Sequence, residues 1–419
     1  MDDDRPGTGG SGPDDAGGAG FKRRTDLDAA RDRLAAAVGV VDRTEPVPLP
    51  DADGRVLAES VAAGRDVPGY DRAAMDGYAV RAADTFDASD RSPAVLRRVE
   101  NDRPEVGPGE AAPVHTGSPV PPGADAVVKV EVTETVGRDV EVFDAVAEGE
   151  NVAPVGEDVE AGESLYEPGH RLRPSDLGLL RSVGVREVEV RDRPRAAVIP
   201  TGEELVDADP DRGEVVETNG LTVSRCVDRW GGTATYRDVV TDDADALRSA
   251  IEADLDHDIV VTTGGSSVGE RDLVPDVVEG LGDVLVHGVA LKPGHPVAVG
   301  RVEDTPVLAL PGYPVSCIVT ALQLLRPAVK WAGDMPLRDP PTMAARLARK
   351  LSSEPGVRTF ARVRLTVEDG QRTAVPTRTG GAGVLSSVAL ADGWIEIAEG
   401  REGLPEGEVV AVQDWEYLL

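Results

Sequence analysis

Cysteine, lysine and aromatic residues are scarce in this chain, and each shortage excludes something. Two cysteines, Cys226 and Cys317, cannot build a disulfide framework in 419 residues. Both fall in stretches predicted as helices and are expected as reduced core residues. Five histidines (115, 170, 257, 287 and 295) are scattered without zinc-ligand spacing. No apolar run reaches spanning length and no apolar signal segment opens the chain, so a soluble, cytoplasmic protein is expected. Lysine occurs only at 22, 129, 292, 330 and 350. Lysine and arginine together number 44 against 76 acidic residues, a net charge of −32 that repels nucleic-acid phosphates. Acidic, lysine-poor and 3% aromatic, the composition is that expected of a halophilic protein. At about 1 M salt the screening length is about 3 Å, so this charge does not hold an anionic substrate at a distance.

Several domains fit in this length. Residues 1–24 are rich in Asp, Gly, Pro and Ser and read as a disordered leader. A helix is predicted near 31–41 from Leu34, Val38 and Val41. Residues 25–66 with 147–192 are expected to form a discontinuous first domain, where Ser175 is the expected N-cap of a helix through Leu177, Leu180 and Val183. Residues 67–146 are expected to form an inserted β domain. There Val128, Val130 and Val132 alternate with polar residues, and Asp76-Gly77 signals a turn. Residues 193–336 alternate strands with helices and predict a doubly wound α/β domain, whose ligands bind beyond the strand C-termini. Asn219 is read as a helix cap, and Asp242-Asp243 as the start of the next helix. Residues 337–419 return to strand periodicity and predict a closing all-β domain.

The α/β domain centres on Asp258 to Asp272. An apolar strand, Ile259 to Val261, runs into Thr262-Thr263-Gly264-Gly265-Ser266-Ser267-Val268-Gly269, and a helix starts near Asp272 with Pro275 in its first turn. Small residues let the backbone approach a ligand closely, and amides at a helix start attract anions. The pattern matches neither common nucleotide-loop motif. It fits a phosphate or oxyanion site of another kind, or a tight turn. Glu203, Glu204, Asp242, Asp272, Lys292, Pro311 and Pro314 fall in loops on the same sheet edge. Singly, the carboxylates read as caps or first-turn acids. Together, beside an anion cradle, they imply a cation between them, and Mg²⁺ is the natural candidate. That combination points to metal-assisted chemistry on a phosphorylated small molecule.

Eight stretches, in order, resemble the molybdopterin molybdenumtransferase family, the MoeA type also found as the gephyrin E domain. They are Ala74 to Arg81 (A-M-D-G-Y-A-V-R), Thr116 to Pro121, Gly156-Glu157-Asp158, Thr201-Gly202-Glu203-Glu204-Leu205, Thr263 to Gly269, Lys292-Pro293-Gly294-His295-Pro296, Leu310 to Ser316, and Gly383 to Ser387. The resemblance implies an elongated homodimer of four domains. The α/β domain would be like the molybdopterin adenylyltransferase, and the C-terminal domain a β-barrel. It implies insertion of molybdate, or tungstate, into adenylylated molybdopterin with release of AMP, dependent on Mg²⁺. Position by position, it implies catalytic roles for Asp76, Thr116, Asp158, Glu204, Asp242 and Asp272. Glu204, Asp242 and Asp272 would hold the metal. Gly264, Gly265, Ser266, Ser267, Gly269, Lys292, Pro311 and Pro314 would bind substrate. The site would be shared between subunits, with molybdopterin adenylyltransferase and molybdoenzymes as expected partners. The chain departs from the family pattern at Ala73 (serine in many members), Tyr313 (asparagine), His295 (the second lysine of the K-P-G-K-P pattern) and Gly288 (a basic residue). Adenylyl transfer onto molybdopterin is the rival enzymatic reading, and a gephyrin-like scaffold the non-enzymatic one.

Overall fold

The computed structural model describes residues 24–99, 105–265, 273–368, 370–377 and 383–416. The chain divides into two compact units, Arg43–Asp192 and Met1–Asp42 with Arg193–Leu419. No helix among the described residues is long and apolar enough to cross a membrane.

The first element, α1 (Leu27–Ala37), starts earlier than its periodicity predicts, because Asp26 caps it. Asp26 Oδ1 accepts from the amides of Asp28 (2.9 Å) and Ala29 (3.3 Å). Leu27, Ala30 and Leu34 form its buried stripe, and it packs within the second unit, although the sequence groups residues 25–66 together.

In the unit Arg43–Asp192, six strands form one sheet: β1 (Gly77–Val80), β2 (Ala94–Arg98), β3 (Glu110–Val114), β4 (Ala126–Lys129), β5 (Thr133–Val136) and β6 (Asp139–Val142). Their order is β4-β1-β3-β2-β6-β5. Tyr78, Val80, Leu96, Val128 and Val140 fill the core beneath. The strand expected through Val132 stops at Lys129. Val130–Val132 form a 3-10 turn, and the Val130 amide donates to Asp76 O at 3.0 Å. A second core gathers Val47, Leu57, Leu172, Leu180 and Val190 under the antiparallel pair Thr44–Pro48 and Glu187–Arg191. Here α2 (Pro174–Ser182) is capped at Arg173, two residues earlier than the Ser175 expected. Pro174 at the first helical position needs no donor, and Asp176 reaches back to the Arg173 amide (2.9 Å).

In the second unit, β7 (Arg195–Pro200), β8 (Thr233–Tyr236), β9 (Ile259–Thr263), β10 (Asp283–His287), β11 (Ala298–Val302) and β12 (Thr305–Leu310) form a sheet of order β8-β7-β9-β12-β11-β10. The first four are parallel, and β11 and β10 complete the sheet with antiparallel pairings. Successive residues of a strand face opposite ways, yet Ala196–Ile199 and Ile259–Val261 are all buried, so both faces are covered. The covering helices are α3 (Asn219–Trp230), α4 (Ala244–Ala253), α5 (Leu273–Leu281), α6 (Pro314–Thr320) and α7 (Arg326–Ala332). Leu247 and Ile251 of α4 and Val274 and Val278 of α5 pack on Ile199, Val260 and Val307, while α3 packs with α6 and α7. Between α6 and α7 the backbone passes through one π-helical turn, Ala321–Leu325. Pro327 has no amide for the carbonyl four residues back. Arg31 Nε, from α1, donates to Gln323 O there at 3.0 Å and replaces the missing bond.

The C-terminal strands β13 (Thr342–Leu347), β14 (Arg358–Glu368), β15 (Gln371–Pro376), β16 (Gly393–Ile397) and β17 (Val409–Gln413) close on themselves through the β14–β16 pairing. The result is a five-stranded barrel cored by Leu347, Val363, Ala374, Ile395 and Val412.

Candidate functional site

Register alone brings the expected loops of the α/β domain together. Pro200 is paired with Thr263, and Thr263 with Leu310, so β7, β9 and β12 end level with one another. The chain leaves each end through glycine. Gly264 N–H donates to Leu310 O (3.1 Å), and Gly202 N–H to Val240 O (3.2 Å). A Cβ on Gly264 would lie 2.2 Å from Thr201 O, and one on Gly265 would lie 2.7 Å from Val274 Cγ2. Both residues also take positive φ, +148° and +65°. One on Gly312 would meet Gly264 Cα at 3.6 Å. Three loops thus converge as bare backbone. Beneath them the buried hydroxyls of Thr201, Thr262 and Thr263 have no hydrogen-bond partner among the described residues.

Two expected carboxylates stand at this crest. Glu204 is exposed and folds back over Gly202, where a Cβ would be 2.8 Å from its Oε2. Asp242 follows Val240, which bridges Thr201. The helix cap is Asp243, whose Oδ1 accepts from Asp245 N (3.1 Å) and Ala246 N (2.9 Å). Asp242 is therefore not the capping residue that the sequence suggests, and its exposed carboxylate makes no hydrogen bond among the described residues. Asp272, Ser266, Ser267 and Gly269 lie outside the described residues.

Pro311 and Pro314 flank Gly312 and Tyr313, and Pro314 starts α6. Lys292 is exposed on the short strand Leu291–Lys292, which pairs with β14 of the barrel. The turn after it docks on α6, since a Cβ on Gly294 would be 2.5 Å from Thr320 Cγ2 and 3.3 Å from Ser316 O. His295, in that turn, has a pKa held below its usual value by burial, then by the positive charges of Arg24 and Lys292. It is a poor substitute for a lysine.

Two positioning groups, Glu217 and Tyr236, went unread in the sequence, and a third, Asn219, has a different task from the one expected. Glu217 stands two residues ahead of α3 and takes the capping task assigned to Asn219. Its Oε1 accepts from Gly220 N (2.7 Å), and its Oε2 accepts from Leu221 N (3.4 Å) and the Tyr236 hydroxyl. Burial, and then the bond to Glu217, push the Tyr236 phenol up in pKa. Asn219 spans to the next loop, with Nδ2 donating to Gly312 O at 2.7 Å. An Asn at a helix start reads as a cap in any sequence, so only the fold reveals this use.

The unit Arg43–Asp192 holds its own expected cluster. Thr116 donates twice to Asp76 Oδ1, from its amide (2.6 Å) and its hydroxyl (2.9 Å). Those two bonds, the amide first, hold the Asp76 carboxyl below its usual pKa. Asp158 is exposed, with its amide on Val67 O at 2.9 Å. Its loop is tied to the segment before Asp76 by Val155 N on Asp71 Oδ1 (3.0 Å) and the Arg72–Glu157 pair (3.7 Å). Gly117 N–H donates to Ala73 O at 2.7 Å, so the Thr116 loop is fastened to the same segment.

Metal-ligating side chains of three residues converge at one place among the described residues, Asp254, Asp256 and His257. That place precedes β9 and is remote from the Gly264 end. Arg237 Nε bonds both carboxylate oxygens of Asp254 (3.1 and 3.0 Å), so an internal cation already balances it.

The pattern described as MoeA N-terminal region (domain I and II) matches residues 25–184, the probable molybdopterin binding domain matches 197–331, and the MoeA C-terminal region (domain IV) matches 344–415. The chain belongs to the MoeA, or molybdopterin molybdenumtransferase, family. A molybdopterin biosynthesis protein of Methanocaldococcus jannaschii is 37% identical, over 90% of this chain and 92% of its own. The molybdopterin molybdenumtransferase of Haemophilus influenzae is 31% identical, over 94% and 99%. Among solved structures, the moeA protein of Pyrococcus horikoshii OT3 superposes with a TM-score of 0.79 at 31% identity, covering 93% of this chain and 99% of that one. The multidomain α/β and β fold, with its closed five-stranded C-terminal barrel, is the MoeA architecture.

Proposed function

We propose that this protein inserts molybdate, or tungstate, into adenylylated molybdopterin and releases AMP. The observation that carries the reading is the glycine crest, where Gly202, Gly264, Gly265 and Gly312 leave backbone bare beside two unpaired carboxylates. Bare amides and small residues suit a phosphate-bearing ligand. The match to the family's N-terminal and C-terminal regions, beyond the α/β domain, supports metal insertion over adenylyl transfer.

The donor set fits Mg²⁺: exposed, hydrogen-bond-free carboxylate oxygens and no soft ligand. Glu204 and Asp242, with Asp272, would hold it, and when bound it would neutralise charge on the phosphoanhydride. In this reading Gly264, Gly265, Ser266, Ser267 and Gly269 grip the phosphates, and Pro311 and Pro314 shape the adjoining wall. Lys292, which has no ion pair among the described residues, supplies positive charge toward the oxyanion substrate. Asp76 is kept ionised by Thr116 and orients polar groups of the substrate, as does Asp158.

We take the working form to be a soluble, cytoplasmic homodimer in which Asp76, Thr116 and Asp158 of one copy serve the crest of the other. Mixing inactive Asp76→Asn and Asp242→Asn homodimers would then restore activity in the heterodimers, and no recovery after exchange rejects the shared site. The function itself is tested by incubating the protein with adenylylated molybdopterin and Mg²⁺. AMP is expected only when molybdate is added, and release that ignores the oxyanion, or fails with it, rejects the reading.

A further inference from the structure

Tyr313 is the most exposed aromatic residue among the described residues. Aromatic residues are 3% of the chain, yet this one is 66% exposed. Its hydroxyl has no hydrogen-bond partner among the described residues, so it is not displayed for a polar contact within the protein.

Its backbone is fixed on both sides. The preceding carbonyl, Gly312 O, is held by Asn219 Nδ2 at 2.7 Å, and its own carbonyl accepts from Cys317 N at 2.9 Å. The ring rests against Gly383, where a Cβ would meet Cδ1 at 3.5 Å and Cε1 at 3.9 Å. A glycine there supports the ring without covering it. A Cβ on Gly312, the residue before Tyr313, would lie 3.6 Å from Gly264 Cα, so Tyr313 follows directly on the bare backbone of the crest.

An exposed ring on a rigid root, adjoining a phosphate-suited crest, has the chemistry to stack a flat heteroaromatic ligand. Two such rings belong to the substrate of the proposed reaction, pterin and adenine. Tyr313 lies inside the stretch matched by the probable molybdopterin binding domain, which favours the pterin. We propose that Tyr313 is the platform on which the substrate's pterin ring stacks, a specificity-determining residue of the strand-end site. This rests on the proposed function. An asparagine, which the family resemblance expects here, offers no ring.

The test uses the full chain and two probes, molybdopterin followed by its own fluorescence and AMP followed by calorimetry. Tyr313→Ala and Tyr313→Leu should each weaken molybdopterin binding about tenfold, while Tyr313→Phe and every AMP affinity stay within about twofold of wild type. In turnover the loss should fall on KM with kcat unchanged. The side chain is exposed and unbonded, so melting temperatures should match wild type. Wild-type affinity in the Ala and Leu variants overturns the proposal. So does a loss confined to AMP, which would assign the ring to adenine, or an equal loss in Tyr313→Phe, which would assign the effect to the hydroxyl. A wild-type protein that fails to bind molybdopterin overturns the functional reading as well, whereas wild-type binding with unaffected variants overturns Tyr313 alone.

Discussion

Asn219 Nδ2 lies 2.7 Å from the carbonyl oxygen of Gly312 and joins the first turn of α3 to the loop that carries Pro311 and Pro314. The side chain is buried, so its loss leaves a carbonyl short of a donor. Asn219→Ala should destabilise the protein by about 1–2 kcal/mol. Because the bond positions the Gly312 loop, activity should fall more than stability explains, by about tenfold at a temperature where the variant is fully folded. Asn219→Asp replaces the donor with an acceptor that faces the carbonyl, and should be worse on both measures. Thermal melts alongside AMP-release rates check the pair, and an Ala variant with normal rates would show that the bond is only structural.

The glycines of the crest are not equivalent. A methyl at Gly264 would sit 2.2 Å from the backbone oxygen of Thr201, which cannot swing aside. Gly264→Ala should therefore cost about 3 kcal/mol or more and displace the loop. At Gly312 the nearest atom would be Gly264 Cα at 3.6 Å, an ordinary contact. Gly312→Ala should stay within about 0.5 kcal/mol of wild type. Urea midpoints of the two variants decide the matter, and equal midpoints would contradict the packing described.

Periodicity made most of the fold legible, because α/β strands covered on both faces are continuous apolar runs and the barrel strands alternate. Ile259 to Val261 is a case of the first, and Ala361, Val363 and Leu365 on the barrel core are a case of the second, although Val367, which continues their alternation, is exposed. Capping was less legible. Asn219, Asp242 and Ser175 all have the residue type of a cap, while Thr218, Asp243 and Arg173 hold the positions, with Glu217 supplying the acceptor at α3, because a cap is decided by where the chain enters the helix. The strand-end crest could be expected from Gly264 and Gly265, since small residues after a buried parallel strand have few other uses. Its support could not. The Asn219–Gly312 bond spans 93 residues, and the Arg31–Gln323 bond that repairs the Pro327 gap spans 292. No local pattern encodes such pairs.

Acid stability should report on Asp176. Its buried carboxylate accepts from Arg173 N (2.9 Å), Arg173 Nε (3.1 Å), His170 Nε2 (2.9 Å) and Tyr166 OH (3.1 Å). Burial would raise its pKa, but the bonds from Arg173 and His170 outweigh that and hold it far below the ordinary 3.8. A depressed folded pKa contributes stability above the unfolded value, and the contribution fades as pH falls from there through the folded value. Asp176→Asn should lower stability by about 2 kcal/mol at pH 7, with the gap to wild type narrowing below pH about 4. Urea midpoints from pH 7 to pH 3 test this, and parallel curves would exclude the carboxylate as the cause.

Salt should stabilise the whole molecule, as the acidic, lysine-poor composition leads one to expect. The acidic excess, 76 against 44, leaves many carboxylates without a cation, and their mutual repulsion is greatest in the compact state. At 0.1 M ionic strength that repulsion reaches about 10 Å, and at 1 M about 3 Å, so added KCl removes a term that opposes folding. A rise in melting temperature of about 5 °C or more is expected between those concentrations, equivalent to about 4 kcal/mol for a chain of this size. Buried carboxylates already paired, such as Asp176 and Asp254, should contribute little to the rise, because salt screens buried pairs weakly. Replacing six exposed acids far from the crest with lysine should flatten the salt dependence without altering AMP release at high salt. A melting temperature that does not respond to KCl, or one that responds equally in the lysine variant, would mean that the charge excess is not what salt acts upon.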